Sequence, residues 1–171
     1  MEAHRRPQGR SAWIRGPPRA CPLEAGDMTY KSEATLDQFR GSGICEWCRQ
    51  PVSRREAAHV FSRGTGQLDI RIALAGLCGA FSGGQNCHAK SHGEGYPGQD
   101  DLLLMVAKRE CVRQDDIRAV VYLLRRLNQD GRRTRQNRPL AEELAELCGP
   151  ARELFAVVFR EMGKGHLLEA A

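Results

Sequence analysis

Cys45-Glu46-Trp47-Cys48 opens a stretch that continues through Ala57-Ala58-His59-Val60 and Leu77-Cys78 and closes with Asn86-Cys87-His88-Ala89-Lys90-Ser91-His92. Four of the seven cysteines and three of the five histidines fall in it. Thiolates and imidazoles so spaced are the donors that a first-row divalent ion selects, zinc above all. Cys45 and Cys48 form a two-residue knuckle that turns two sulfurs toward one ion. Cys78 and Cys87 are a second pair, and the loop Ser82-Gly83-Gly84-Gln85 between them is flexible enough to bring them together. Four thiolates at about 2.3 Å complete a tetrahedral structural zinc. Cys78, following Leu77, also fits a buried apolar cysteine.

A closed four-sulfur centre leaves no position for the histidines, so they need a second account. His88 and His92 are four residues apart and share one side of a helix, where they can grip one ion. His59 follows Ala57-Ala58 in what reads as a short strand ending at Ser62-Arg63-Gly64. A strand end facing a helix packed across it would set His59 near that ion. An ion-activated water beside a neutral imidazole is a hydrolytic centre. For each histidine alone the plainer reading is a surface or capping residue.

The composition sets the frame. With 171 residues there is room for one domain, or one small domain with extensions. Hydrophobic residues make up 41% and aromatics 6%, so a small unit stapled by metal is expected rather than a large core. The net charge of +5 favours a polyanionic partner. No apolar stretch approaches the roughly 18 residues that span a bilayer, and the basic N-terminus lacks the apolar segment of a secretory signal. The expectation is a cytoplasmic, nucleic-acid-associated protein with no membrane contact. There, CxxC spacing means metal rather than disulfides.

The chain divides at changes of texture. Residues 1–42 read as a disordered basic tail and linker, with Arg5, Arg6, Arg10, Arg15 and Arg19 among Pro7, Pro17, Pro18 and Pro22. The first 27 residues also fit a phosphate-binding arm, or a stretch preceding a true start at Met28. A short helix is expected at Ser32–Phe39, followed by a glycine linker. Residues 43–98 hold the metal-rich module and end in the turn residues Glu94-Gly95-Tyr96-Pro97-Gly98. Residues 99–171 read as a C-terminal bundle of three to four helices. One starts at Asp100-Asp101, with acidic residues at its positive pole. The next starts at Asp115-Asp116 and carries Ile117, Val120, Val121, Leu124 and Leu127 on one stripe. A third runs from Pro139 to about Leu147, and Gly149-Pro150 separates it from a fourth over Ala151–Met162. Arg125, Arg126, Arg132, Arg133, Arg135 and Arg138 cluster around a helix end and the following loop. Dipole compensation explains the first two; the four in the loop point to phosphates.

The order CxxC, Ala-His-Val, Leu-Cys, Cys-His-x-x-x-His resembles the HNH endonucleases, over about residues 43–96. The resemblance implies an α+β chain built on a small ββα-metal finger, tied by a structural zinc (Zn²⁺) on Cys45, Cys48, Cys78 and Cys87. It implies His59 as the general base and His88 and His92 as ligands of a catalytic Mg²⁺ or related divalent ion. Arg63 would contact a phosphate, with a solvated loop residue as the plainer role. The implied activity is phosphodiester hydrolysis in DNA, with RNA as the other polyanion, in a bacterial or phage-infected cell. Two positions depart from the family pattern. Ala58 stands where the family carries a further ligand, and Ala73 stands where it carries the asparagine that braces the hairpin loop. Two imidazoles and waters still hold Mg²⁺ or Mn²⁺ once phosphate oxygens join them. The alternative is a zinc-stabilised module that binds nucleic acid without cutting it. A redox or zinc-storage role leaves the histidines unused.

Overall fold

The computed structural model describes residues 30–61, 67–93, 95–130 and 140–169. The fold is α+β, a three-stranded antiparallel sheet in the order β1-β2-β3 with helices around it. The strands are β1 (Gly41–Ile44), β2 (Pro51–His59) and β3 (Leu74–Cys78). β2 is therefore central. Its pairing with β3 is regular, from Arg55 opposite Cys78 to His59 opposite Leu74. The pairing of β1 with β2 is interrupted between Gly41 and Gly43, where the backbone takes positive φ values that glycine tolerates.

Helix α1 (Glu33–Phe39) forms because the Ser32 side chain accepts a hydrogen bond from the Thr35 amide, while Leu36 and Phe39 bury one face. The expected short helix is thus present, and it packs on β2 and β3. The glycine-rich segment after it is β1, not a linker. Glycine composition concealed a strand there because its neighbour, not its own propensity, fixes it. β2 begins eight residues before His59 and ends at that residue, so the strand is longer than expected and stops sooner.

After β3 come α2 (Cys87–Ser91), α3 (Gln99–Glu110) and α4 (Gln114–Asp130). The acidic pairs Asp100-Asp101 and Asp115-Asp116 lie in the first turns of α3 and α4, as the dipole favours. The last three helices described are α5 (Leu140–Ala145), α6 (Gly149–Glu161) and α7 (His166–Glu169). Gly149-Pro150 starts α6 rather than breaking a helix, since a proline in the first turn has no amide to lose. The brief α7 is an addition to the expected set.

One apolar core joins the sheet to these helices. Ala58, Val60 and Leu77 belong to the same buried cluster as Val106, Ile117, Leu124 and Phe155. The expected α4 stripe is buried from Ile117 to Leu124. It packs on α6, where the Phe155 and Phe159 rings stack at 4.8 Å. Each such side chain contributes about 1.5–3 kcal/mol by burial. The opposite face of the sheet holds a smaller cluster of Leu36, Phe39 and Leu74 with Ala57. Among the described residues no helix is long and apolar enough to cross a membrane.

Candidate functional site

The four cysteines converge at one end of the sheet. Cys45 and Cys48 sit in the β1–β2 turn, Cys78 closes β3 and Cys87 opens α2. Their sulfurs all lie within 4.8 Å of one another. The Cys48 and Cys78 sulfurs are 3.9 Å apart. Ligands about 2.3 Å from a tetrahedral ion are about 3.8 Å from each other, so the cluster has the dimensions of a four-thiolate zinc centre.

Local chemistry makes this convergence. The Arg49 amide donates to the Cys45 carbonyl at 3.0 Å, with Arg49 at φ 61°, which curls the knuckle back on itself. Backbone amides also donate to sulfur: Cys78 N to Cys45 Sγ at 3.4 Å and Cys87 N to Cys78 Sγ at 3.3 Å. Such donors stabilise thiolate charge. A Cβ at Gly84 would lie 2.7 Å from Cys78 Sγ, so the returning loop reaches the sulfurs only because that position has no side chain. Burial pushes the Cys45 and Cys87 thiols up. Burial acts the same way on Cys48, but amides of Gln50 and Gln85 and the neighbouring thiols outweigh it and bring that thiol down to about 7.

The imidazoles form a second cluster beside the first. His88 Nε2 and His92 Nε2 are 3.0 Å apart. The two nitrogens are within hydrogen-bond distance, and two ligands about 2.1 Å from one octahedral ion are also about 3.0 Å apart, so the pair fits either contact. His88 Nδ1 is hydrogen-bonded to a Glu56 carboxylate oxygen from β2. His88 is partly buried and His92 is exposed, so solvent reaches this cluster while the sulfurs are enclosed.

His59 does not join that pair. Side chains alternate along a strand, and the β2–β3 pairing is unbroken from Arg55 to His59. Glu56 and Ala58 therefore share one face, the side of His88, while Ala57 and His59 share the other, the side of α1. The strand-end position foreseen for His59 is observed; its facing toward α2 is not, because the strand ends one residue out of phase for it. His59 Nε2 is instead 2.8 Å from Asp69 Oδ1, with side-chain exposures of 6% and 1%. Asp69 Oδ2 accepts from the Ser32 amide at 3.1 Å, and Gln67 Nε2 donates to Oδ1 at 2.9 Å. A carboxylate only accepts, so Nε2 donates its proton to Asp69.

Sequence reasoning missed both carboxylates. Period-two reading of β2 from Val52 would have put Glu56 on the face of Ala58. Nothing local marks Asp69, which meets His59 through the fold. Arg63, Arg132, Arg133, Arg135 and Arg138 lie outside the described residues. Of the flanking arginines, Arg126 is paired with Glu143 and Glu146, and Arg125 lies over the Phe61 ring at 5.5 Å. These two are tied to the fold. No protein-family model, no curated protein and no solved structure matches the chain.

Proposed function

We propose that this chain is a zinc-stabilised, HNH-like endonuclease that hydrolyses phosphodiester bonds in DNA with a divalent ion. The observation that carries the reading is the His88–His92 nitrogen pair at 3.0 Å on a helix whose first residue is a member of the four-sulfur cluster. In this reading Cys45, Cys48, Cys78 and Cys87 hold the structural zinc, and His88 and His92 bind the catalytic ion. When bound, that ion supplies charge stabilisation to the phosphate and the leaving oxygen. His59, as the neutral imidazole, accepts the proton of the attacking water, and Asp69 holds the ring by Nε2 and stabilises the imidazolium that results. Displacement at phosphorus is roughly in line, with nucleophile and leaving oxygen on opposite sides. His59 is the last residue of β2 and faces away from the His88–His92 pair, so this reading requires the phosphate to reach both from beyond the end of the strand. The net charge of +5 favours the polyanion.

A second reading, a nucleic-acid-binding module without cleavage, is favoured by the burial of His59: an imidazole only 6% exposed has little access to water. Plasmid nicking with Mg²⁺, Mn²⁺ or Ni²⁺ separates the two. The nuclease reading expects nicking by the wild type and its loss in His59→Ala and in His88→Ala. Both variants should keep about one equivalent of zinc, since neither touches a sulfur. Cleavage by His59→Ala at the wild-type rate would remove His59 as the base. Retardation of DNA without nicking by the wild type would establish the second reading.

A further inference from the structure

We infer that Glu56 is a positioning residue for the second metal centre, setting the proton on His88 so that the ring presents a lone pair to the ion. This rests on the reading of His88 and His92 as ion ligands. Three observations carry it. First, the Glu56 carboxylate meets His88 at Nδ1, on the far side of the ring from His92. Because a carboxylate only accepts, Nδ1 bears a proton, and in the neutral ring Nε2, which is 3.0 Å from His92 Nε2, is the nitrogen with the lone pair. Glu56 therefore acts through His88 and is not itself a ligand in this geometry.

Second, the fold keeps room for the carboxylate. A Cβ built at Gly79 would lie 2.3 Å from Glu56 Oε1 and 2.7 Å from its carboxyl carbon. The residue after Cys78 is thus one where any side chain would displace the carboxylate from its place. Third, Glu56 is two residues before Ala58 on the same face of β2. Ala58 has no donor, so this face contributes its polar group to the cluster from Glu56. The carboxylate also raises the basicity of the imidazole it holds, and such partners typically change metal affinity by about 10–100-fold.

The test uses the full chain with its sulfur centre loaded with zinc. Mn²⁺ is titrated into wild type, Glu56→Ala and Glu56→Gln, and nitrogen NMR reads the ring tautomer of His88 before Mn²⁺ is added. Wild type should show the Nδ1–H form. Glu56→Ala should move toward the Nε2–H form and bind Mn²⁺ about 10–100-fold more weakly. Glu56→Gln should keep most of the affinity, because an amide oxygen still accepts from Nδ1–H. Unchanged affinity and ring spectrum in Glu56→Ala would overturn the inference. So would a Glu56→Gln loss as deep as that of Glu56→Ala, which would make the carboxylate a direct ligand. If wild type and His88→Ala take up Mn²⁺ equally, the reading of the ion site itself fails. The tautomer shift then still decides whether Glu56 sets the proton on His88.

Discussion

Cys87 and His88 are neighbours in the same short helix, yet they belong to sites of opposite character. Cys87 is 1% exposed, and its sulfur sits among three others, two drawn from a turn and one from a strand end. The His88 ring is partly open to solvent and is completed by one residue on its own helix and one on β2. An ion in the first site would join three segments and serve as part of the core. An ion in the second would be held from one side, with positions left for water or phosphate. In the proposed reading, the contrast is that between a closed structural zinc site and an open catalytic one. Enclosure, not the identity of the ligands alone, separates them.

The largest effect should come from breaking the sulfur centre. Cys45→Ser or Cys87→Ser should abolish zinc retention and the cooperative thermal transition, because binding energy at a structural site, about 10–16 kcal/mol in small zinc domains, is folding energy. Cys111→Ser, at an exposed residue outside the cluster, should leave both unchanged. Zinc content and melting followed by circular dichroism would check this.

Acidification should weaken the same centre by a smaller amount. Burial pushes the Cys45 and Cys87 thiols up, so in the metal-free chain they carry protons at neutral pH. Zinc must displace those protons, the free form binds more of them, and affinity therefore rises with pH. With these two protons released per zinc, affinity should fall by about 10,000-fold from pH 8 to pH 6. Competition against a chelator at both values measures it. A pH-independent affinity would mean that the thiols are already ionised.

Parts of this contrast are legible in the sequence and parts are not. The sulfur set can be read from spacing because a CxxC knuckle and a Leu-Cys strand end are local patterns. The helices after residue 98 are legible for the same reason, through acidic first turns and the Ile117–Leu124 stripe. β1 was hidden because Gly41-Ser42-Gly43 has no strand propensity and is held by pairing to Pro51–Arg55. Asp69 and Glu56 were hidden because their roles depend on which face of β2 each neighbour occupies. A shift of one residue along a strand reverses that face, and motif spacing does not record it.

The most direct test of two unlike metal centres is a cobalt titration of metal-free chain refolded under reducing conditions. The account expects the first equivalent, about one per chain, to give the intense sulfur-to-metal absorption of a tetrahedral thiolate site. A second equivalent should bind more weakly, without added sulfur absorption, and should be missing in the double variant His88→Ala/His92→Ala. Sulfur absorption saturating below about half an equivalent, or growing with the second ion, would contradict it.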